Sequence, residues 1–204
     1  MVLLGMAFGT GIASENSSTA PGDALRQLME GNARYVANRA EHPRQRPSNS
    51  PQHPIAVVLS CSDSRVPPEI AFDQGVGDLF VVRAAGNTYD RLALQSIEYA
   101  VEHLGAKLIV VMGHEQCGAV KAALASYPDP HAGPMLVNIY PAVRATEHRP
   151  RDRWSNTVNE NAILVAKRLA EEPAFAGRIK RGELKVTAAR YDMGTGAVTI
   201  LSPR

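Results

Sequence analysis

At 204 residues the chain is long enough for one substantial hydrophobic core, and a single domain is the default at that length. Apolar residues at 45% and charged residues at 21% describe an ordinary globular chain, and a net charge of +2 excludes the strongly basic surface that nucleic acid or an anionic membrane would attract. The one crowding of positive charge (Arg144, Arg149, Arg151 and Arg153) lies among Pro and Asp and reads as a solvated loop, so neither nucleic acid nor membrane is expected as a partner.

The chain opens on an apolar, glycine-rich stretch from Met1 to Ile12, followed by the polar run Ser14-Glu15-Asn16-Ser17-Ser18-Thr19. That resembles the hydrophobic part of a secretory signal with a small-residue cleavage region near Ala13, although no Lys or Arg precedes it. It is too short to span a bilayer. Residues 1–20 are therefore read as a tail or signal-like segment, and residues 21–204 as one domain with an N-terminal helical arm. An export signal would place the protein in the periplasm or outside the cell; otherwise it is cytoplasmic.

Asp23 to Arg39 reads as an amphipathic helix, with Leu25, Leu28, Met29, Ala33 and Val36 at helical spacing behind a Pro-Gly-Asp start. Glu41 to Pro54 is rich in Pro, Arg, Ser and Asn and reads as a loop or extended arm. Three short apolar runs follow: Ile55 to Leu59, Leu79 to Arg83 and Leu108 to Met112. Their continuous Val/Ile/Leu character suits strands of a parallel sheet covered on both faces. Between the second and third lies Arg91 to Leu104, with Leu94, Ile97, Val101 and Leu104 on one helical face. Asn156 to Glu172 repeats that pattern. Leu184 to Tyr191 and Val198 to Leu201 then read as two strands joined through Met193-Gly194-Thr195-Gly196, which makes the last one antiparallel to its neighbour at the sheet edge. The fold class is α/β: a Rossmann-like, mostly parallel central sheet with helices on both faces and an antiparallel edge strand.

In such sheets ligands bind beyond the carboxyl ends of the strands, and both cysteines fall there. Cys61 follows the first strand within Ser60-Cys61-Ser62-Asp63-Ser64-Arg65, and Cys117 follows the third within Gly113-His114-Glu115-Gln116-Cys117-Gly118. The count of two cysteines leaves a disulfide, a pair of metal ligands or two buried thiols open. If the two strands are neighbours, Cys61, His114 and Cys117 converge as a zinc-type donor set with a fourth position free. Asp63 could supply that fourth ligand, or it could be held off the metal by the two-pronged guanidinium of Arg65. Taken singly, each residue has an ordinary explanation. A cysteine after a buried strand is a small hydrophobe, and Asp-Ser-Arg is a turn with a surface ion pair.

At these residues the sequence resembles the β-class carbonic anhydrases. Cys61-Ser62-Asp63-Ser64-Arg65-Val66-Pro67-Pro68-Glu69 is similar to that family's first zinc motif, and Gly113-His114-Glu115-Gln116-Cys117-Gly118 to its second. The resemblance implies one zinc per chain on Cys61, His114 and Cys117, with Asp63 and Arg65 as the catalytic dyad. It also implies Gln52, Phe80, Tyr99 and Gly118 around the substrate, partly across a dimer interface. The implied reaction is reversible hydration of carbon dioxide to bicarbonate and a proton by zinc-bound hydroxide, in a homodimer or homotetramer. By themselves Phe80 and Tyr99 read as core aromatics, and Gln52 as a loop amide. Ala85 falls where a larger aliphatic side chain is common, which implies a roomier pocket. A subgroup of the family closes its site through a bicarbonate pocket built by a Trp, an Arg and a Tyr. Here Arg83 and Tyr191 match, but Val58 stands at the Trp position, so Asp63 is expected to stay paired with Arg65 at neutral pH. His53 and His103 are proton-shuttle candidates by residue type alone. Two rivals stand beside the main reading: a carbonyl sulfide or carbon disulfide hydrolase on the same scaffold, and a non-catalytic zinc- or bicarbonate-binding homologue. A nucleotide-binding domain is excluded by the lack of any phosphate-cradling glycine run.

Overall fold

The computed structural model describes residues 19–41 and 51–202, so the signal-like segment falls almost wholly outside the described residues. Helix α1 (Pro21–Val36) leads into strand β1 (Ala56–Ser60), the single turn α2 (Pro68–Ala71) and strand β2 (Leu79–Arg83). Helix α3 (Arg91–Glu102), strand β3 (Leu108–His114) and helix α4 (Gly118–Ser126) follow. The short helices α5 (Pro134–Val137) and α6 (Tyr140–Ala145) precede the long α7 (Arg153–Glu171), then α8 (Pro173–Lys180). Strands β4 (Lys185–Tyr191) and β5 (Val198–Leu201) complete the chain.

The strands form one sheet in the order β2-β1-β3-β4-β5. Pairing is parallel for β1 with β2, β1 with β3 and β3 with β4, and antiparallel only for β4 with β5. Every residue of β1 and β3 is buried, because helices cover both faces. The pleat divides their side chains: Val57, Leu59, Ile109 and Val111 join the core with Ile97 of α3 and Val165 of α7, while Ala56, Val58, Leu108, Val110 and Met112 join the core with Leu28 of α1 and Phe72.

Two aspartates begin helices α3 and α7. Asp90 caps α3 by accepting from Ala93 N at 2.9 Å, and Asp152 caps α7 by accepting from Trp154 N at 2.9 Å. Helix α1 is tied down by a buried polar residue, Asn32. Its Nδ2 donates to the carbonyls of Ala71 and Gly196, both at 2.8 Å, and its Oδ1 accepts from Val198 N at 2.8 Å.

Three differences from the sequence reading have local causes. Helix α1 stops at Val36 rather than Arg39, with Asn38 turned left-handed at φ 54°. Strand β3 runs two residues past Met112, since Gly113 and His114 pair with Arg190 and Tyr191 of β4. Tyr99 is not a core aromatic: it is 48% exposed on α3, its ring 5.3 Å from that of His103.

Candidate active site and metal centre

Strands β2 and β3 flank β1 on opposite sides, so the connections leaving β1 and β3 diverge and open a crevice at their carboxyl ends. Register fixes what meets there. Ser60 lies opposite Met112, so Cys61 emerges beside the end of β3, where His114 is the last strand residue. Gln116 then turns back at φ 54°, and Cys117 becomes the residue that starts α4.

Cys61, His114 and Cys117 are all buried, and their donor atoms lie within 4.8 Å of one another. The two sulfurs are 4.0 Å apart and unbonded, which removes the disulfide alternative. Tetrahedral zinc with Zn–S near 2.3 Å places two thiolates about 3.8 Å apart, close to what is seen. The imidazole is prepared in the same sense. Its Nδ1 donates to the Glu115 carbonyl at 2.8 Å, leaving the Nε2 lone pair facing the sulfurs. That Nε2 is buried with no hydrogen-bond partner among the described residues, the condition of a ligand atom rather than of a satisfied core histidine. Donor chemistry, spacing and the orphaned nitrogen all fit zinc.

The thiols share a proton unequally. Cys61 is pulled down by the hydrogen bond from Cys117, helped by His114 and by Gly86 N–H, which reaches its Sγ at 3.3 Å. Cys117 is pushed up by that same hydrogen bond to Cys61 and by burial, so it keeps the proton. Metal binding would release it.

Asp63 and Arg65 form the two-pronged pair. Arg65 Nε donates to Oδ1 at 2.9 Å, its Nη2 to Oδ2 at 2.7 Å, and its backbone N–H to Oδ1 at 3.0 Å. These bonds hold the Asp63 carboxyl far below the ordinary carboxylate range, so it is ionised at any neutral pH. Its Oδ2 stands 3.9 Å from His114 Nε2, at the mouth of the donor triangle.

The loop carrying Cys61 and Asp63 is held from β2. Arg83 donates to the Cys61 carbonyl at 3.0 Å and to the Asp63 carbonyl at 2.5 Å. On the far side Trp154 Nε1 donates to the Cys117 carbonyl at 3.0 Å, and Asn161 Nδ2 donates to the Gly86 carbonyl at 2.8 Å. Gly86 itself is left-handed, at φ 70°. Nothing in the sequence marks Gly86, Trp154 or Asn161 as supports, and Arg83 is expected there only as part of a bicarbonate pocket. The Ala-Gly-Asn turn just beyond β2 is the one local signal at Gly86.

The remaining expected residues stand on separate elements. Gly118 opens α4 beside Cys117, with nothing within 4 Å of the place a Cβ would occupy. Phe80 is half-buried on β2 against the core beneath α3. Gln52 is exposed ahead of β1, as Tyr99 is on α3. Among the described residues no helix is long and apolar enough to cross a membrane.

A family profile described as carbonic anhydrase matches residues 56–198. Carbonic anhydrase 2 of Mycobacterium tuberculosis is 39% identical over 90% of this chain and 94% of its own length. Among solved structures, a β-carbonic anhydrase of the fungus Sordaria macrospora, described as tetrameric, superposes with a TM-score of 0.66 at 27% identity, over 74% of this chain and 82% of its own. A Coccomyxa β-carbonic anhydrase in complex with acetazolamide gives a TM-score of 0.64 at 29% identity, over 87% and 81%.

Proposed function

This chain belongs to the β class of the carbonic anhydrase family, and on that premise we propose that it catalyses zinc-dependent hydration of carbon dioxide with Cys61, His114 and Cys117 as metal ligands and Asp63–Arg65 as the catalytic dyad. The observation that carries the reading is the buried His114 Nε2, unpartnered among the described residues and aimed at two thiols 4.0 Å apart. One zinc held there would act as a Lewis acid and lower the pKa of a water in the fourth position to roughly 7.

The chain's own residues do the rest. Asp63 carries no proton at neutral pH, so its Oδ2 accepts a hydrogen bond from the attacking water and aims an oxygen lone pair at the substrate carbon. Arg65 keeps that carboxylate turned from the metal position, and Arg83 fixes the loop on which both stand. Gly118 leaves open space beside Cys117 for a linear, apolar substrate. Gln52, Phe80 and Tyr99 complete the substrate pocket, partly from a second copy of the chain. The exposure of Gln52 and Tyr99 supports that reading, as does the tetrameric state of the Sordaria relative. The assembly is a homodimer or homotetramer.

Three variants test the assignment. Cys61→Ser and His114→Ala are expected to lose both metal and activity, so stoichiometric zinc retained in either removes them from the ligand set. Asp63→Asn is expected to keep its zinc and lose at least about 100-fold in hydration rate, and near-native turnover would sink its role.

A further inference from the structure

Within the second motif, Glu115 is the charged residue that neither the metal nor the dyad uses. Its peptide is nevertheless what orients His114: the Glu115 carbonyl accepts from His114 Nδ1 at 2.8 Å, and the Glu115 N–H donates to the Tyr191 carbonyl at 3.0 Å. The side chain is clamped as well. One carboxylate oxygen accepts from Arg190 Nη2, and the other accepts from Met193 N at 3.2 Å. Both partners lie on or just beyond β4, the strand that pairs with β3 up to His114. The ion pair is half-buried, 25% exposed on Glu115 and 29% on Arg190, so solvent screens it less than an open surface pair. The next residue, Gln116, is left-handed at φ 54°, a conformation that surrounding structure must hold in place. Cys117 follows directly, so the tight 114–117 turn carries two proposed ligands on its ends.

We infer that Glu115, through its pair with Arg190, is a positioning residue for the metal centre. It locks the 114–117 turn onto β4, so that the Glu115 carbonyl fixes the imidazole tautomer and the Nε2-to-Sγ spacing that a tetrahedral ion requires. This rests on the zinc reading of Cys61, His114 and Cys117. The physical reason is general: the partner of a ligating histidine's other nitrogen sets ring orientation and ligand basicity, and losing such a partner costs about 10- to 100-fold in metal affinity or activity. Here that partner is a carbonyl, which no substitution can delete, so it is set by what anchors residue 115, and the Glu115 side chain is the anchor that a substitution can remove.

The experiment follows zinc release to a chromophoric chelator from the full chain, for the parent, Glu115→Gln, Arg190→Gln and the double variant, with zinc content counted beforehand. Each single variant should release zinc at least about 10-fold faster. The double should be no faster than the faster single, because both remove one interaction. Arg190→Lys, which keeps the charge, should lie closer to the parent and supplies the second test if a Gln variant fails to fold. Cobalt(II)-substituted Glu115→Gln should show shifted ligand-field bands well below its melting temperature, which a purely structural role would not produce. Release within twofold of the parent with an unchanged cobalt spectrum, whatever happens to Tm, overturns the inference, as do single-variant effects that multiply in the double. A parent that binds no zinc would instead overturn the ligand assignment, and this inference with it.

Discussion

Gly86→Ala is the substitution whose outcome the geometry constrains most tightly. Gly86 holds φ 70° and ψ 22°, and a Cβ built there would lie 2.7 Å from Ile139 Cδ1 and 3.3 Å from Ala119 Cβ. Left-handed backbone costs a residue with a Cβ about 1–2 kcal/mol. Ile139 is fully buried, and its Cδ1 or the turn must shift to admit the methyl, so overpacking adds about 1–3 kcal/mol. The sum, about 2–5 kcal/mol, corresponds to a fall in Tm of roughly 5–20 °C for a chain of this size. The strain falls on the turn whose N–H reaches Cys61 Sγ at 3.3 Å, so relief by backbone movement would disturb that contact. Thermal melts of zinc-loaded protein give the readout, with Gly118→Ala as the comparison. An added methyl at Gly118 meets nothing within 4 Å at a helix start, and Tm should stay within about 2 °C. A Gly86→Ala protein melting within that same margin would refute the close packing and strained turn proposed here.

Asn32→Leu should cost about 3–5 kcal/mol, because the Ala71 and Gly196 carbonyls and the Val198 N–H would all lose their buried partner; denaturant melts check it, and a loss below about 1 kcal/mol contradicts it. Tyr89 is pushed up to about 12, chiefly by burial, so its phenol keeps its proton in the folded state where the unfolded chain has lost it. Stability is therefore full below the ordinary value of 10 and declines as pH rises from there toward 12. Tyr89→Phe should flatten that decline in denaturant melts, and an equal alkaline loss in variant and parent would rule Tyr89 out as its source.

Much of the site was legible because its chemistry is local in sequence. Cys61, Asp63 and Arg65 fit on one strand end, and His114 and Cys117 on another. The continuous apolar runs already implied strands of a parallel sheet covered on both faces, whereas the adjacency of β1 and β3 comes only from their pairing. The supports were not legible, because each is a long-range contact made by an ordinary residue type. Trp154 and Asn161 approach from α7, Arg190 from β4 and Arg83 from β2, and nothing in their immediate sequence distinguishes them from surface or core positions. The length of β3 was hidden for the same reason: Gly113 and His114 become strand only by pairing with Arg190 and Tyr191. Taken by itself Tyr99 reads as a core aromatic, whereas here it is exposed on α3, because what it would pack against lies outside the single chain.

The most direct test of the central claim is stopped-flow carbon dioxide hydration on protein whose zinc has been counted, at about pH 7 and about pH 8.5. About one zinc per chain and rapid turnover that rises with pH are expected, as a water in the fourth position would ionise near neutrality. Stoichiometric zinc with no hydration at either pH would contradict that claim.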